Sequence, residues 1–593
     1  MSESELQDAW QSHRAGDHAR AERLYKDILH REPRNFAALY RLGFLCGERG
    51  RFKEAEGLMG EAIALNPRAA NAHVLRGFAL MQLARFEDAV ACFSHALALN
   101  PNVPDVLLNR AAALFRLKRY AEAGEDYERL LRLDPEYPYA RGNRLFCRLH
   151  GCDWRNFTEE AAAIAAGLRE GKRVVVPFDA KALSLTAADE LRCASIWTED
   201  QAPAAPIALY GGEPYRHDRI RVAYLAETFG DDPVSSLIVG VIESHDRRRF
   251  EIVGVTFRAS ETSLLHDRFA RAFEKRVDGA GRGDLELASL LRGMEIDIAV
   301  DLMGYTQGCR PGVFAARPAP VQVNYLGFPG TMAASYIDYI LADRIVIPED
   351  ERRHYSERVV YLPGSYLCSD SARAVGSRAP SRAEAGLPEK GFVFASFNNT
   401  YKFAPKMFDI WMRLLHAVDG SVLWLPKSNA VALGNLSREA EARGIDPARL
   451  VFAPFVPNLQ DHLARLSLAD LFLDTLPYNA HSTAVDALSA GLPVLTCEGK
   501  TFAGRVAASL LHTVGIPETI ARSLEEYEAL ALKLAEDRDE LARIRTKLAL
   551  NRKSSMLCDP ARFARNLEAA YAEMWERAER KLPPEGFAVA ERP

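Results

Sequence analysis

The sequence predicts an α-helical solenoid followed by an α/β region of two Rossmann-like lobes. Three observations carry this. Proline recurs at Pro33, Pro67, Pro101 and Pro135, a period of 34 residues. From Arg219 onward, apolar runs of strand length alternate with helical stretches, as in a parallel, doubly wound sheet. The alternation breaks at Ala379–Lys390 and restarts at Phe392, so two such sheets are expected.

The period holds in further registers: Ala21, Ala55, Ala89 and Ala123; Gly43, Gly77 and Ala111; Tyr25, Met59, Phe93 and Tyr127. Small residues at helix contacts and a proline closing each unit make the tetratricopeptide pattern. Four units are read near Ser2–Arg34, Asn35–Arg68, Ala69–Asn102 and Val103–Glu136, and residues 1–150 are assigned to the array. Its concave face suits docking of a protein segment, with self-association or a spacer role as the alternative. Asn109 and Asn143 share a register with Arg41 and Leu75. Amides there would hydrogen-bond a peptide backbone without reading its sequence.

Residues 151–217 read as a helical connector, with helices near Thr158–Glu170 and from Ala187. Residues 218–385 form the first lobe. Its strand candidates are Arg219–Ala226, Phe250–Phe257, Ile296–Leu302 and Val321–Leu326, and helices are expected at Val234–His245 and Asp284–Gly293. Residues 386–582 form the second lobe, with strands at Phe392–Phe397, Val422–Leu425, Leu450–Phe455, Leu471–Leu476 and Val494–Thr496. Helices are expected at Pro405–Ala417, Leu459–Leu468 and from Phe502, then three more at Leu524–Ala535, Glu540–Leu550 and Ala561–Arg580. Residues 583–593 are a tail.

The most informative stretch runs from Pro477 to Gly491. An apolar strand leads into a loop and a helix whose first turn carries Ser482 and Thr483, followed by Asp486. Unpaired N–H groups at a helix start attract anions, so this reads as a phosphate cradle at the carboxyl edge of a sheet. A plain Ser/Thr-capped helix is the competing reading.

Composition excludes several classes. Net charge is −5, with 26% charged and 48% apolar residues, which argues against general nucleic-acid binding. Nine scattered cysteines form no CxxC or Cys/His spacing, so a reducing compartment and no structural zinc are expected. No leader and no apolar run of spanning length is found, which predicts a cytoplasmic protein without a membrane span. No GxGxxG follows the first strand and no GxxxxGK[ST] occurs, so dinucleotide and P-loop chemistry are disfavoured.

Five blocks, in order, carry a family resemblance: Cys152-Asp153-Trp154; Gly304-Tyr305-Thr306; Arg317–Gln322 with Leu326–Thr331; Phe397-Asn398 with Tyr401-Lys402; and His481–Asp486 with Ala490-Gly491 and Arg505–Ser509. With the repeats, they resemble the O-GlcNAc transferase/SPINDLY family. The resemblance implies a GT-B fold and protein O-glycosyl transfer from a nucleotide sugar with inversion, needing no metal or cofactor. It implies that Lys402 neutralises donor phosphates, that His481, Ser482 and Thr483 bond the diphosphate, and that Asp486 holds the ribose. Asn399, Val456, His462 and Arg465 would line the nucleotide site. Thr306, Leu326, Gly327 and Pro329 would line the sugar pocket.

The chain departs from the family in two places. Asp232 stands where the family has a histidine, in Phe229-Gly230-Asp231-Asp232-Pro233, and Met303 replaces an asparagine before Gly304. A later histidine of that motif is Ser236. Asp232 would serve as base or orient the acceptor hydroxyl, though its ordinary pKa of about 3.9 makes it weaker than histidine. Both changes point to a donor sugar other than GlcNAc. UDP, GDP and CMP donors stay open; a CMP-linked nonulosonic acid transferred to flagellin is one alternative, and a catalytically silent repeat scaffold another. Asp537-Arg538-Asp539 reads as surface charge.

Overall fold

The computed structural model describes residues 2–258, 262–552 and 554–592. The chain divides into two compact units, the first essentially residues 1–148 and the second essentially the remainder.

In the first unit, antiparallel helix pairs follow the period. They are Ser2–Arg14 with His18–Arg31, Phe36–Glu48 with Phe52–Leu65, Ala70–Gln82 with Phe86–Leu99, and Pro104–Arg116 with Tyr120–Leu133. The helix Ala140–His150 follows. The small and bulky registers meet within each pair. A Cβ on Gly43 would lie 2.9 Å from Met59 Cε, and one on Gly77 would lie 2.6 Å from the Phe93 ring. The later repeats bury Ala89, Phe93, Ala111, Ala123 and Tyr127 in one cluster.

The second unit holds the connector and both lobes. The first lobe contains β1 (Ile220–Ala226), β2 (Phe250–Thr256), β3 (Lys275–Asp278), β4 (Ile298–Asp301), β5 (Val321–Asn324), β6 (Tyr339–Ala342) and β7 (Arg358–Tyr361). The second contains β8 (Val393–Ala395), β9 (Val422–Pro426), β10 (Leu450–Ala453), β11 (Leu471–Leu473), β12 (Val494–Cys497) and β13 (Ile520–Ala521). A last strand, β14 (Phe587–Ala588), rejoins the first sheet beside β7. Among the described residues the orders are β14-β7-β6-β5-β4-β1-β2-β3 and β10-β9-β8-β11-β12-β13. All described pairings are parallel, from β1–β2 and β1–β4 in one sheet to β8–β9 and β8–β11 in the other. The central strands are buried on both faces, as parallel strands covered by helices must be.

In the first sheet the chain winds outward through β2 and β3, then returns to the other side of β1 with β4. In the second it winds through β9 and β10, then returns beside β8 with β11. Each reversal leaves a crevice at the carboxyl ends of two neighbouring strands, where ligands of such sheets bind.

Several features join the lobes. The helix Pro560–Glu579 packs back on Pro233–Glu243 of the first lobe, and Glu568 accepts from His245 Nδ1 at 3.0 Å and Asp246 N at 2.7 Å. Asp343 at the end of β6 accepts from Ser509 Oγ at 2.6 Å. The connector touches both lobes: Thr198 Oγ1 lies 2.5 Å from Tyr305 Oη, and Asn435 Nδ2 donates to Gly151 O at 2.7 Å.

Several elements were not expected from the sequence: β3, β6, β7, β13 and β14 with the helices Leu264–Ala272 and Ala430–Ala442. Many observed strands are shorter than their apolar runs; Asp474 ends β11 and Pro454 follows the end of β10.

Candidate functional site

At the second sheet's reversal, β8 and β11 end side by side, and the chain turns into Asn398–Lys402 and Asp474–His481. Lys402 is buried there. Its Nζ donates to Asn479 O at 2.8 Å and stands 3.8 Å from the Tyr478 ring centroid. Burial lowers its pKa to about 7, and Asp474 opposes that shift. Asp474 Oδ1 accepts from Thr475 N at 2.7 Å and Ala480 N at 2.6 Å, and Oδ2 accepts from Thr496 Oγ1 at 2.6 Å. Burial lifts Asp474 to about 6. The strand end thus holds a carboxylate that shapes the loop and faces the lysine's charge.

The helix Ser482–Ser489 starts beside Lys402, with His481 at its N-cap position. Burial, with Lys402 close by, keeps the His481 imidazole neutral. Its Nε2 lies 3.2 Å from Ala503 O, so Nε2 carries the proton and Nδ1 is left as an acceptor. Thr483 Oγ1 donates to Asn398 Oδ1 at 2.6 Å. The side-chain protons of His481 and Thr483 are therefore committed to protein partners. An anion here meets the Ser482 hydroxyl, the N–H groups of the first helical turn and the Lys402 ammonium.

One turn on, Asp486 is held by Arg373 from the segment between the lobes. Burial raises the Asp486 pKa against the pull of Arg373. His462 Nδ1 accepts from Arg465 Nε at 3.1 Å and Nη2 at 2.8 Å. Its Nε2 stands 3.9 Å from Asp486 Oδ2. Burial and the neighbouring arginines drop His462 to about 4, so it is neutral with its proton on Nε2. Arg465 also donates to Pro454 O at 2.5 Å and lies over the Phe397 ring. Half-buried Val456 follows on the same loop, and exposed Asn399 precedes the turn Thr400–Lys402. Lys402, His481, Asp486, His462 and Arg465 thus form one contiguous group.

At the first sheet's reversal, the loops after β1, β4 and β5 converge. Asp301 ends β4 and its Oδ1 accepts from Met303 N at 2.8 Å and Gly304 N at 3.0 Å, folding the loop; burial lifts this carboxyl to about 6. Thr306 Oγ1 donates to Met303 O at 2.8 Å. The Met303 side chain packs on the lobe's apolar core. A Cβ on Gly327 would lie 2.0 Å from Leu302 O. Glycine is required there because the β4 and β5 loops touch, a reason different from the expected approach to a ligand. Leu326 has φ +71°, a strained conformation for a side chain of this size. Pro329 is buried.

Asp232 ends the loop after β1 as N-cap of Pro233–Glu243. Its Oδ1 accepts from Ser235 N at 2.9 Å and its Oδ2 from Ser235 Oγ at 2.6 Å. Burial raises its pKa despite these bonds. The helix it caps packs against Ser482–Ser489, so helices that start at the two reversals meet.

A model described as glycosyl transferase family 41 matches residues 210–379 and 372–567. The chain belongs to this family. Tetratricopeptide models match residues 13–77 and 75–138. A probable UDP-N-acetylglucosamine–peptide N-acetylglucosaminyltransferase SEC of Arabidopsis thaliana is 35% identical over 379 residues, 63% of this chain and 39% of the relative. The SPINDLY counterpart of Solanum lycopersicum is 31% identical over 389 residues, 64% of this chain and 40% of the relative. The matched region is about two fifths of the length of these relatives. The solved structure of a mutant Thermobaculum terrenum O-GlcNAc transferase aligns with TM-score 0.59 and 28% identity, covering 98% of both chains.

Within this family-41 chain, sequence reading missed Arg373, Asp474 and Tyr478. Tyr478 and Asp474 lie in or beside the stretch singled out, but only packing shows that they flank Lys402. Arg373 sits in a segment with no regular secondary structure and gave no signal. Asp537, of the Asp-Arg-Asp run, caps the helix Arg538–Asn551. Asn109 lies half-buried on the helix Pro104–Arg116, and Asn143 half-buried on Ala140–His150. Among the described residues, no helix is long and apolar enough to cross a membrane.

Proposed function

We propose that this protein transfers a sugar from a nucleotide-sugar donor to a serine or threonine hydroxyl of a protein acceptor. The observation that carries it is the pairing of two reversal crevices. One is lined by Lys402 and a hydroxyl-bearing helix start, the other by Asp232, Thr306 and the strained Leu326.

In this reading the diphosphate lies against Ser482, the first-turn N–H groups and Lys402. The sugar faces Thr306, Leu326, Gly327 and Pro329. Asp486 and His462 take ribose hydroxyls, and Val456 and Asn399 border the base. The acceptor oxygen attacks the anomeric carbon, the bond to the phosphate oxygen breaks with inversion, and the acceptor proton passes to Asp232. Lys402 and the helix dipole stabilise charge on the leaving phosphate, the term expected to be largest. The repeats hold the acceptor protein, with Asn109 and Asn143 as backbone contacts.

The relatives' names make UDP-N-acetylglucosamine the first donor to test. Met303 stands where the family pattern has an asparagine and packs on the apolar core, and this favours a changed sugar as the second reading. Thermal shift with UDP, GDP and CMP and their sugars, then intact-mass analysis of co-incubated acceptors, flagellin included, tests both. Stabilisation by a nucleotide diphosphate and a mass increase of one sugar support transfer. Absence of stabilisation by any nucleotide would favour a silent scaffold and sink the proposal.

A further inference from the structure

The first repeat contains a side-chain cluster that the glycosyl-transfer site does not use. His13 lies in the last turn of Ser2–Arg14, His18 opens His18–Arg31, and Glu48 ends Phe36–Glu48. One ligand atom from each lies within 4.8 Å of the others.

The repeat register makes these histidines anomalous. One period after another from His18 stand Phe52, Phe86 and Tyr120; from His13 stand Gly47, Met81 and Phe115. The fourth repeat packs Phe115 against Tyr120 with ring centroids 5.2 Å apart, and the first packs His13 against His18 at 5.6 Å. Two imidazoles thus occupy a contact that the fourth repeat makes with two aromatic rings.

A buried imidazole needs partners for both nitrogens. His13 is 6% exposed. Its Nε2 lies 2.6 Å from Glu48 Oε2. Its Nδ1 and that of His18 are both buried without a hydrogen-bond partner. Trp10, Phe44 and Tyr25 stand around His13 at ring distances of 5.3, 5.7 and 6.5 Å. The hydrogen bonds of the array leave this polar group short, and its wall is aromatic.

We propose that His13, His18 and Glu48 bind one divalent transition-metal ion of the zinc class, tying the first helix pair to the third helix. Two imidazoles and a carboxylate are a nitrogen/oxygen set suited to such an ion, whereas calcium and magnesium favour all-oxygen sites. Ligand atoms about 2.0 Å from a tetrahedral ion stand about 3.3 Å apart, so the 2.6 Å His13 Nε2–Glu48 Oε2 contact would widen around the ion. Cysteine spacing gives no hint of this site because none of its ligands is a cysteine.

The test uses the full-length chain, stripped with EDTA and titrated with CoCl2 and with ZnCl2 against a chromophoric chelator. One ion per chain is expected, with cobalt bands of nitrogen/oxygen coordination. Zinc should slow amide exchange in Ser2–Arg14 and Phe36–Glu48. The double variant His13→Met/His18→Phe reproduces the pair Met81 and Phe86 of the third repeat, so it should fold while losing the ion. Glu48→Gln should weaken binding at least about tenfold. Binding of zinc by the double variant at wild-type affinity would place the ion elsewhere and overturn the proposal. So would failure of the stripped wild-type chain to take up zinc or cobalt.

Discussion

Arg373, in the segment that links the two lobes, clasps Asp486 on the helix that follows β11. The two side chains are 5% and 14% exposed, and Nε and Nη1 of Arg373 are buried without hydrogen-bond partners. The interlobe segment is thereby fastened to the carboxylate assigned to the ribose. It is fastened at other points too: Asp370 pairs with Arg268 of the first lobe, and Gly376 N donates to Gln460 O at 3.0 Å.

Breaking that pair should cost stability. Arg373→Met leaves a buried carboxylate uncompensated, a loss of about 3 kcal/mol, and the variant should bind nucleotide more weakly. Arg373→Met combined with Asp486→Asn should recover part of the stability and none of the affinity. Denaturant unfolding and nucleotide titration of the double-mutant cycle check this; additive losses would mean that the pair carries no coupling.

Nucleotide binding should depend on pH through Lys402. Its folded pKa is lowered to about 7 from 10.5, so the lysine is charged below pH 7 and neutral above. A bound phosphate raises that pKa. Affinity should therefore be greatest below pH 7 and fall on the alkaline side, by up to about tenfold per pH unit. Stability of the free protein has the opposite sign from this group: the unfolded chain binds more protons between about 7 and 10.5, so stability rises with pH there. Isothermal titration with UDP from pH 6 to 9 reads the first effect, and a flat profile would remove Lys402 from the phosphate site. Lys402→Ala should abolish transfer.

Asp232 combines a cap with a proposed base, and two substitutions separate them. Asp232→Ala should lose about 1 kcal/mol with the cap. Asp232→Asn keeps a capping oxygen and should retain that stability, while transfer falls by about 10²–10⁴. Thermal melts beside initial rates decide; full transfer by the Asn variant would assign Asp232 to structure alone.

Gly327→Ala should destabilise the first lobe by about 1–3 kcal/mol, because its Cβ would lie 2.0 Å from the Leu302 carbonyl oxygen, a backbone atom and not a flexible side-chain end. Gly434→Ala is the contrasting case. Gly434 lies inside the helix Ala430–Ala442 with nothing within 4 Å of an added Cβ. The substitution should stabilise by about 0.5–1 kcal/mol. Urea midpoints of the two variants should move in opposite directions.

Periodicity made much of the architecture readable. The 34-residue spacing located the helix pairs because each repeat buries the same small and bulky residues, as Gly77 against Phe93 shows. Helices Pro405–Ala417 and Asp284–Gly293 have the expected bounds because proline or an acidic residue opens them and the apolar positions keep helical spacing. Short strands such as β6 and β7 were illegible: four buried residues in β6, or exposed Arg358 and three buried residues in β7, carry no period of their own, and neighbours in the sheet decide their conformation.

The sequence by itself determined the repeat array, the two sheets, the loops that carry Lys402, His481, Thr306 and Gly327, and the helix start that carries Asp486. These are local properties of spacing, composition and motif. Tertiary structure alone decided which atoms remain free for a ligand. The protons of His481 and Thr483 are committed to Ala503 and Asn398, Asp486 is engaged by Arg373, and Lys402 is poised near neutrality by burial beside Asp474. Those facts arise from contacts between segments tens of residues apart, and from the loss of water around them, neither of which is written in any single stretch of chain.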